Sequence, residues 1–142
     1  MQIGGVMRTR IVTAKPDETA GAAIERMLEA GVGSIVVCDG PSLAGIFTER
    51  DVLRLAGTGE QFRDKLLSEV MTPRPVTVTA EDGILAATKL MEAKTIRHLP
   101  VVEGDNLVGI VSIRDVLAFL VERVWQSHDE DARDTARAIL GR

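Results

Sequence analysis

The chain has 142 residues, of which 45% are hydrophobic and only 3% are aromatic. A chain of this length buries enough surface for one compact domain or for two small units that share a core, which must be aliphatic. The formal net charge of −4 argues against charge-driven nucleic-acid binding. Since no apolar run reaches roughly 18 residues and residues 1–10 lack the apolar stretch of a signal peptide, we expect a cytoplasmic protein without membrane contact.

The single cysteine, Cys38, excludes an intrachain disulfide. Cys38, His98 and His128 are not spaced as zinc ligands, so the sequence predicts no metal site. We expect Cys38 to be a small, buried apolar residue.

The sequence repeats itself with an offset of 64 residues. Residues 6–53 align with residues 70–117 without a gap, and 17 of these 48 positions are identical. The phrase GIFTERDVL at residues 45–53 returns as GIVSIRDVL at residues 109–117. A match that keeps its register over this length indicates a duplicated structural unit.

Each repeat opens with a short extended piece, residues 11–14 or 76–79, followed by a helix. The first helix has apolar residues at helical spacing, namely Ala20, Ala23, Ile24, Met27 and Leu28. The second has Ile84, Ala87, Thr88 and Met91 at the corresponding places. We expect the acidic pairs at residues 17–18 and 81–82 to open these helices and Gly31 to end the first.

Two apolar runs follow in repeat one, residues 34–38 and 43–47, and the turn-rich DGPS between them predicts a hairpin. A helix from about Glu49 closes the repeat. The predicted fold is α+β, with two β-α-β-β-α repeats packed sheet to sheet about a pseudo-twofold axis that creates two clefts. The predicted divisions are repeat one (6–57), a partly helical linker (58–69), repeat two (70–121) and a C-terminal helical tail (122–142).

The repeated phrase places a hydroxyl residue three positions before a carboxylate at the start of each closing helix: Thr48 before Asp51, and Ser112 before Asp115. This pattern is typical of a capping box. The same helix N-terminus can seat a phosphate, and a carboxylate one turn into the helix can accept hydrogen bonds from both hydroxyls of a ribose. The residues alone leave a structural cap and a nucleotide site equally open.

The pattern resembles the paired cystathionine-β-synthase (CBS) domains, or Bateman module, over about residues 6–120. The resemblance rests on VMTP at residues 70–73, IRHLPVV at residues 96–102 and the two Gly-Ile-x-Thr/Ser-x-x-Asp phrases. It implies a stand-alone regulatory module that requires no cofactor. Because the sequence shows no nucleophile with a paired base, no metal-ligand set and no Walker-type Gly-Lys-Ser/Thr loop, we expect no enzymatic activity. It also implies an adenosine ligand in clefts between the repeats (AMP, ADP, ATP, S-adenosylmethionine or an NAD-type dinucleotide), a homodimer and an unidentified regulated protein.

By the same resemblance, Asp51 and Asp115 would hold ribose, and Thr48 and Ser112 would contact phosphate or ribose. The adenine would lie against Thr13, Ala14, Thr77 and Val78. The basic side chains near phosphate would be Arg50, Arg97, His98 and Arg114. Arg50 and Arg114 also fit solvated surface residues, and His98 also fits a partly buried polar residue beside a strand. Since repeat one has Gly33 and Ser34 in place of Arg97 and His98, we expect unequal clefts.

The last segments suggest a contact surface. The apolar residues continue after Leu117, at Ala118, Leu120, Val121, Val124 and Trp125. A helix this apolar is not expected to be fully solvated, so we expect it to pack against another surface, and a partner subunit is one candidate. The tail restarts at residues 127–130 and carries a thin stripe of Ala132, Ala136, Ile139 and Leu140, which fits a solvated helix or an oligomer contact equally well. The alternative function is an interaction or dimerisation scaffold without a small-molecule ligand.

Overall fold

The computed structural model describes residues 1–141; Arg142 and the side chains of Ile139 and Leu140, which belong to the predicted tail, lie outside the described residues. A 3-10 turn, Ile3–Gly5, comes first. Repeat one then contains β1 (Thr13–Ala14), α1 (Ala20–Ala30), β2 (Ser34–Asp39), β3 (Ser42–Thr48) and α2 (Glu49–Gly57). Between the repeats lie α3 (Leu67–Val70) and β4 (Thr72–Pro73). Repeat two contains α4 (Ile84–Lys94), β5 (His98–Glu103), β6 (Asn106–Ser112) and α5 (Ile113–Trp125), and α6 (Glu130–Leu140) follows.

The strands form one mixed sheet in the order β1-β2-β3-β6-β5, with β4 paired to β3. Each repeat contributes an antiparallel hairpin in the same register, so that Val37 lies opposite Gly45 and Val101 lies opposite Gly109. The two hairpins meet at their turns through the pair Ser42–Asn106. The α+β fold predicted from the repeat is confirmed, and one sheet runs through both repeats.

Each repeat completes its core with the segment that precedes the other repeat. Ile3 is fully buried in the core of repeat two, and Leu67, its counterpart 64 residues later, is fully buried in the core of repeat one. Backbone hydrogen bonds hold both segments: the Ile3 amide donates to the Asp82 carbonyl at 2.9 Å, and the Leu67 amide donates to the Glu18 carbonyl at 2.8 Å. The two repeats are therefore interlocked rather than merely joined by a linker.

The first helix of each repeat begins later than the acidic pair suggests. The N-cap of α1 is Thr19, and that of α4 is Gly83. The preceding acids instead close tight turns, because the Glu18 carboxylate accepts from the Lys15 amide at 2.6 Å and the Asp82 carboxylate accepts from the Thr79 amide at 2.8 Å.

Helix α1 ends at Gly31 as predicted, with a left-handed φ of 65°. Its buried face consists of Ala20, Gly21, Ala23 and Met27. Leu28, which the spacing placed in the apolar stripe, is 76% exposed.

The predicted tail forms a separate helix that folds back. Asp129 caps α6, because its carboxylate accepts from the Ala132 amide at 3.0 Å. Ala136 is buried, and the Arg137 guanidinium lies 5.3 Å from the ring centroid of Trp125 at the end of α5. Within residues 1–141, no helix has the length and apolar character that crossing a membrane requires.

Candidate functional site

The repeated phrase forms the strand-to-helix junction of each repeat. Thr48 ends β3 and Asp51 is the third residue of α2, where its carboxylate Oδ2 accepts from the Thr48 amide at 2.9 Å. Ser112 and Asp115 make the same contact at 2.9 Å, and the Asp115 amide donates to the Ser112 hydroxyl at 3.2 Å. Both helices therefore begin with the predicted capping box. Asp51 is only 6% exposed.

A cavity of about 420 Å³ opens beside Asp51, and we call it the Asp51 cavity. One wall is the start of α2, the second is the segment 72–76 that leads into repeat two, and the third is the segment 95–98 at the start of β5. Its polar and charged lining is Thr48, Glu49, Arg50, Asp51, Thr72, Arg74, Thr95, Arg97 and His98. Its apolar lining is Ile46, Leu53, Pro75, Val76 and Ile96, together with Gly33.

A second cavity of about 360 Å³ lies beside Asp115, and we call it the Asp115 cavity. It is built from the corresponding elements, namely the start of α5, the segment 8–12 and the segment 31–34. Its basic lining is Arg8, Arg10, Arg97, His98 and Arg114. Repeat one has Gly33 and Ser34 at the positions of Arg97 and His98, but Arg97 and His98 line both cavities, so this exchange does not by itself make the clefts unequal.

The segments 3–10 and 67–74, which we call the leading segments, precede repeat one and repeat two and cross β6 and β3 of the other repeat at the glycine that opens each phrase. A Cβ atom on Gly45 would lie 2.5 Å from the Met71 sulfur and 2.8 Å from the Thr72 carbonyl oxygen. A Cβ atom on Gly109 would lie 2.7 Å from the Met7 sulfur and 3.1 Å from the Arg8 carbonyl oxygen. The close approach that a glycine here suggested is therefore made by the chain itself.

The outer carboxylate oxygen of each aspartate has a different set of partners. Oδ1 of Asp51 accepts from the Thr72 hydroxyl at 3.2 Å and from Arg54 of the same helix at 3.1 Å. Oδ1 of Asp115 accepts from Nε of Arg8 at 2.8 Å. Arg8 and Thr72 occupy equivalent positions in the two repeats. At this position, Asp115 is contacted by an arginine and Asp51 by a threonine hydroxyl.

His98 lines both cavities and is partly buried. Burial lowers the pKa of its imidazole from 6.5, the nearby carboxylates of Glu49 and Asp115 oppose this shift, and the charges of Arg97 and Arg114 add to it. The ring is therefore neutral at pH 7 and can both donate and accept a hydrogen bond. An anion bound beside it would favour the protonated form.

A family model described as the CBS domain matches residues 3–57 and again residues 67–122. The chain belongs to the CBS-domain family. Both matches begin with the segment that packs into the other repeat's core and extend through the helix and hairpin of a repeat into its closing helix, so the protein contains a CBS pair.

This CBS pair is similar to three known proteins. It is 37% identical over 131 residues to a mitochondrial CBS domain-containing protein of Arabidopsis thaliana, covering 88% of this chain and 62% of that protein. It is 35% identical over 122 residues to an uncharacterised protein of Methanopyrus kandleri, covering 82% of this chain and 61% of the relative. The chain thus spans about six tenths of the length of these two relatives. A CBS domain protein of Pyrobaculum aerophilum, solved in complex with AMP, superposes with a TM-score of 0.77 at 25% identity, covering 86% of this chain and 97% of that one.

Most of the site residues predicted from the sequence line one or both of the two cavities. The Asp51 cavity collects Thr48, Arg50, Asp51, Arg97 and His98, and the Asp115 cavity collects Ser112, Arg114, Asp115, Arg97 and His98. Arg50 also has a structural partner, because its Nη1 donates to the Thr95 carbonyl at the end of α4.

The four residues nominated for adenine contact line neither cavity. Thr13 and Ala14 form β1 beside β2, and Val78 makes the equivalent parallel bridge to Val101 next to Thr77. Ala14 and Val78 face the cores instead. The cavity walls are formed one to two residues earlier, by residues 11–12 and 75–76.

Sequence reasoning missed the leading-segment residues Arg8, Thr72 and Arg74 as cavity residues. Residues 6–10 match residues 70–74 in the repeat alignment, and this match shows that Arg8 and Thr72 are equivalent. It does not show that each leading segment contacts the other repeat, which is what places these residues in the cavities. Among residues 1–141, no group of three or more His, Cys, Asp or Glu side chains is placed to hold a metal ion.

Proposed function

We propose that this CBS pair is a regulatory module, not an enzyme, and that it binds an adenosine nucleotide in the Asp51 cavity. The observation that carries the proposal is the buried Asp51 carboxylate, which lines the cavity between the hydroxyls of Thr48 and Thr72 and shares it with Arg97 and His98. This arrangement supplies an acceptor for sugar hydroxyls and donors for phosphate in one open cleft.

The ribose would be held by Asp51. Its Oδ2 is committed to the cap, whereas its Oδ1 accepts from the Thr72 hydroxyl, a neutral partner that a sugar hydroxyl can replace at little cost. A carboxylate that accepts from vicinal hydroxyls is the same solution that dinucleotide-binding folds use for ribose. Thr48 and Thr72 would then contact the same sugar.

The adenine and the phosphate would occupy opposite ends of the cavity. Pro75, Val76 and Ile96 form an apolar surface for a purine ring, with Thr77 and Val78 following directly in the chain. The positive end of the α2 dipole, together with Arg97 and His98, would bind phosphate. A volume of about 420 Å³ lies within the range of small-molecule sites.

The AMP complex of the similar P. aerophilum protein supports an adenosine ligand for this CBS pair. Because the cavity is formed by both repeats, a ligand that binds there would favour one arrangement of α2 against the segment 72–76. That preference would be transmitted to a regulated protein in contact with the module. The ligand would be a regulatory signal, and the module would need no resident cofactor.

Thermal melting with AMP, ADP, ATP, S-adenosylmethionine and NADH tests the proposal and ranks the ligands. A ligand that binds only the folded chain at a hundredfold excess over its Kd stabilises it by about 2.7 kcal/mol, or roughly 9 °C for this chain length. Asp51→Asn keeps an oxygen for the Thr48 amide but loses the charge, so the variant should fold and lose the ligand-induced shift. If none of the five compounds raises the melting temperature at millimolar concentration, the proposal is wrong and the scaffold alternative is favoured.

A homodimer is the second part of the proposal. Leu53 on α2 and Leu117 on α5 are equivalent residues, 74% and 53% exposed, and Leu120 on α5 is 50% exposed. Paired apolar side chains at pseudo-twofold positions suit a symmetric contact with a second copy. Light scattering after size exclusion should give a dimer for the natural chain and a folded monomer for Leu117→Asp combined with Leu120→Asp. A natural chain that remains monomeric at high micromolar concentration would exclude this contact.

A further inference from the structure

The carboxylate of Asp115 has an ionic partner within its own cavity. Arg8 donates from Nε to Asp115 Oδ1 at 2.8 Å, and the Ser112 amide and hydroxyl each donate to Oδ2 at 2.9 Å. The Asp115 side chain is only 9% exposed. Both of its oxygens are therefore engaged, and the oxygen that would face a sugar is the one that Arg8 holds.

The Asp51 carboxylate differs because its arginine approaches from outside the cavity. Arg54 lies one turn further along α2 and pairs with Asp51 at 3.1 Å, but it does not line the Asp51 cavity. From the cavity side, Asp51 meets the neutral hydroxyl of Thr72. In repeat two, Ala118 stands at the position equivalent to Arg54. The arginine that contacts Asp115 is Arg8, which is equivalent to Thr72.

The backbone of Arg8 is fixed in place. Its amide donates to the Ile110 carbonyl at 2.8 Å, and its carbonyl accepts from the Ile110 amide at 2.9 Å, so the leading segment is bridged to β6. Its neighbour Met7 packs against Gly109. Arg8 can leave Asp115 only by rotating its side chain, not by movement of the segment.

A ribose at Asp115 would have to replace a charge-assisted hydrogen bond with neutral ones. Such a bond to a charged donor is shorter and stronger than one to a hydroxyl. The Arg8 guanidinium would also lose its carboxylate partner in a cavity that Arg10 and Arg114 line as well. At Asp51 the sugar replaces only the Thr72 hydroxyl, and Arg54 keeps its contact from outside.

We propose that Arg8 is the specificity-determining residue of this CBS pair: it withholds Asp115 from ribose, so that one adenosine nucleotide binds per chain, in the Asp51 cavity. This inference rests on the proposed function and adds which cavity is used and why. The Asp115 cavity retains its capped helix and basic lining, but its sugar acceptor is occupied.

Calorimetric titration with AMP measures the number of sites directly. We expect one AMP per chain for the natural protein and two for Arg8→Thr, which places in repeat one the residue found at the equivalent position of repeat two, Thr72. Arg10→Thr is the matched control, since Arg10 lines the same cavity without contacting Asp115, and it should still bind one AMP. Combining Arg8→Thr with Asp115→Asn should return the count to one.

The outcomes separate this inference from the proposed function. Two AMP molecules per natural chain, or one per chain of a folded Arg8→Thr variant, would overturn the role of Arg8 and leave nucleotide binding intact. Equal loss of AMP binding in Asp51→Asn and Asp115→Asn would also overturn it. If neither the natural chain nor Arg8→Thr binds AMP or any other adenylate, both proposals fall together.

Discussion

Adding one methyl group at Gly45 should destabilise the fold by forcing apart the two repeats where they cross. The new Cβ would lie 2.5 Å from the Met71 sulfur and 2.8 Å from the Thr72 carbonyl oxygen. The methionine can rotate away, but the carbonyl belongs to the backbone of β4 and must move by roughly half an ångström to reach ordinary contact distance. Overpacking of this kind costs about 1–3 kcal/mol, which corresponds to a loss of roughly 3–9 °C in Tm.

The same change at Gly109 provides a graded comparison. There the backbone contact is longer, at 3.1 Å to the Arg8 carbonyl, and the shortest contact is to the flexible Met7 side chain. We therefore expect Gly109→Ala to cost less than Gly45→Ala. Gly57→Ala is the control, because a methyl group added there, at the end of α2, would meet nothing within 4 Å. This variant should leave stability unchanged or raise it by up to about 1 kcal/mol.

Urea unfolding followed by circular dichroism measures these differences. The order of stability should be Gly57→Ala at or above the natural chain, then Gly109→Ala, then Gly45→Ala. If Gly45→Ala is as stable as the natural chain, or less damaging than Gly109→Ala, the leading segment does not cross β3 as closely as these distances require. The contact between Thr72 and Asp51 would then lose its structural support.

Three further predictions concern single side chains. The pKa of His98 is lowered by burial, so the unfolded chain takes up a proton at higher pH than the folded one, and stability should fall as the pH drops below about 6.5; His98→Gln should reduce this loss in melts at pH 7.5 and 5.5. Burial also raises the pKa of the Cys38 thiol, so its reaction with a disulfide reagent at pH 8 should be slower than that of a free thiol and should accelerate in urea. Thr95 ends α4 with a left-handed φ of 54°, where repeat one has Gly31, so Thr95→Gly should raise the unfolding free energy by about 1 kcal/mol, and a loss of stability would contradict this.

The duplicated sequence predicted the secondary structure of each repeat well because local rules determine it. The DGPS turn between two apolar runs specifies the β2-β3 hairpin, Gly31 supplies the left-handed end of α1, and Thr48 with Asp51 specifies the start of α2. The start of α1 was predicted too early, because an acidic pair can close a preceding turn as readily as it can open a helix. The choice between these two roles depends on which groups donate hydrogen bonds to the Glu18 carboxylate, and the sequence does not show this.

The arrangement between the repeats could not be read in the same way. Arg97 and His98 line both cavities because of how one repeat packs against the other, which no local pattern encodes. The crossing of residues 3–7 and 67–71 is likewise a long-range contact that appears in the sequence only as a match between two segments. The contacts of Asp51 with Thr72 and of Asp115 with Arg8 are therefore seen only in the structure.

The ribose contact of Asp51 is the central claim, and titration calorimetry of AMP against 2′,3′-dideoxy-AMP tests it most directly. With the natural chain, loss of the sugar hydroxyls should weaken binding by about tenfold or more, the effect of a hydrogen bond to a charged acceptor. With Asp51→Asn, both compounds should bind equally weakly, because the charged acceptor is gone. Equal affinity of the natural chain for both compounds, or undiminished AMP binding by Asp51→Asn, would contradict this claim.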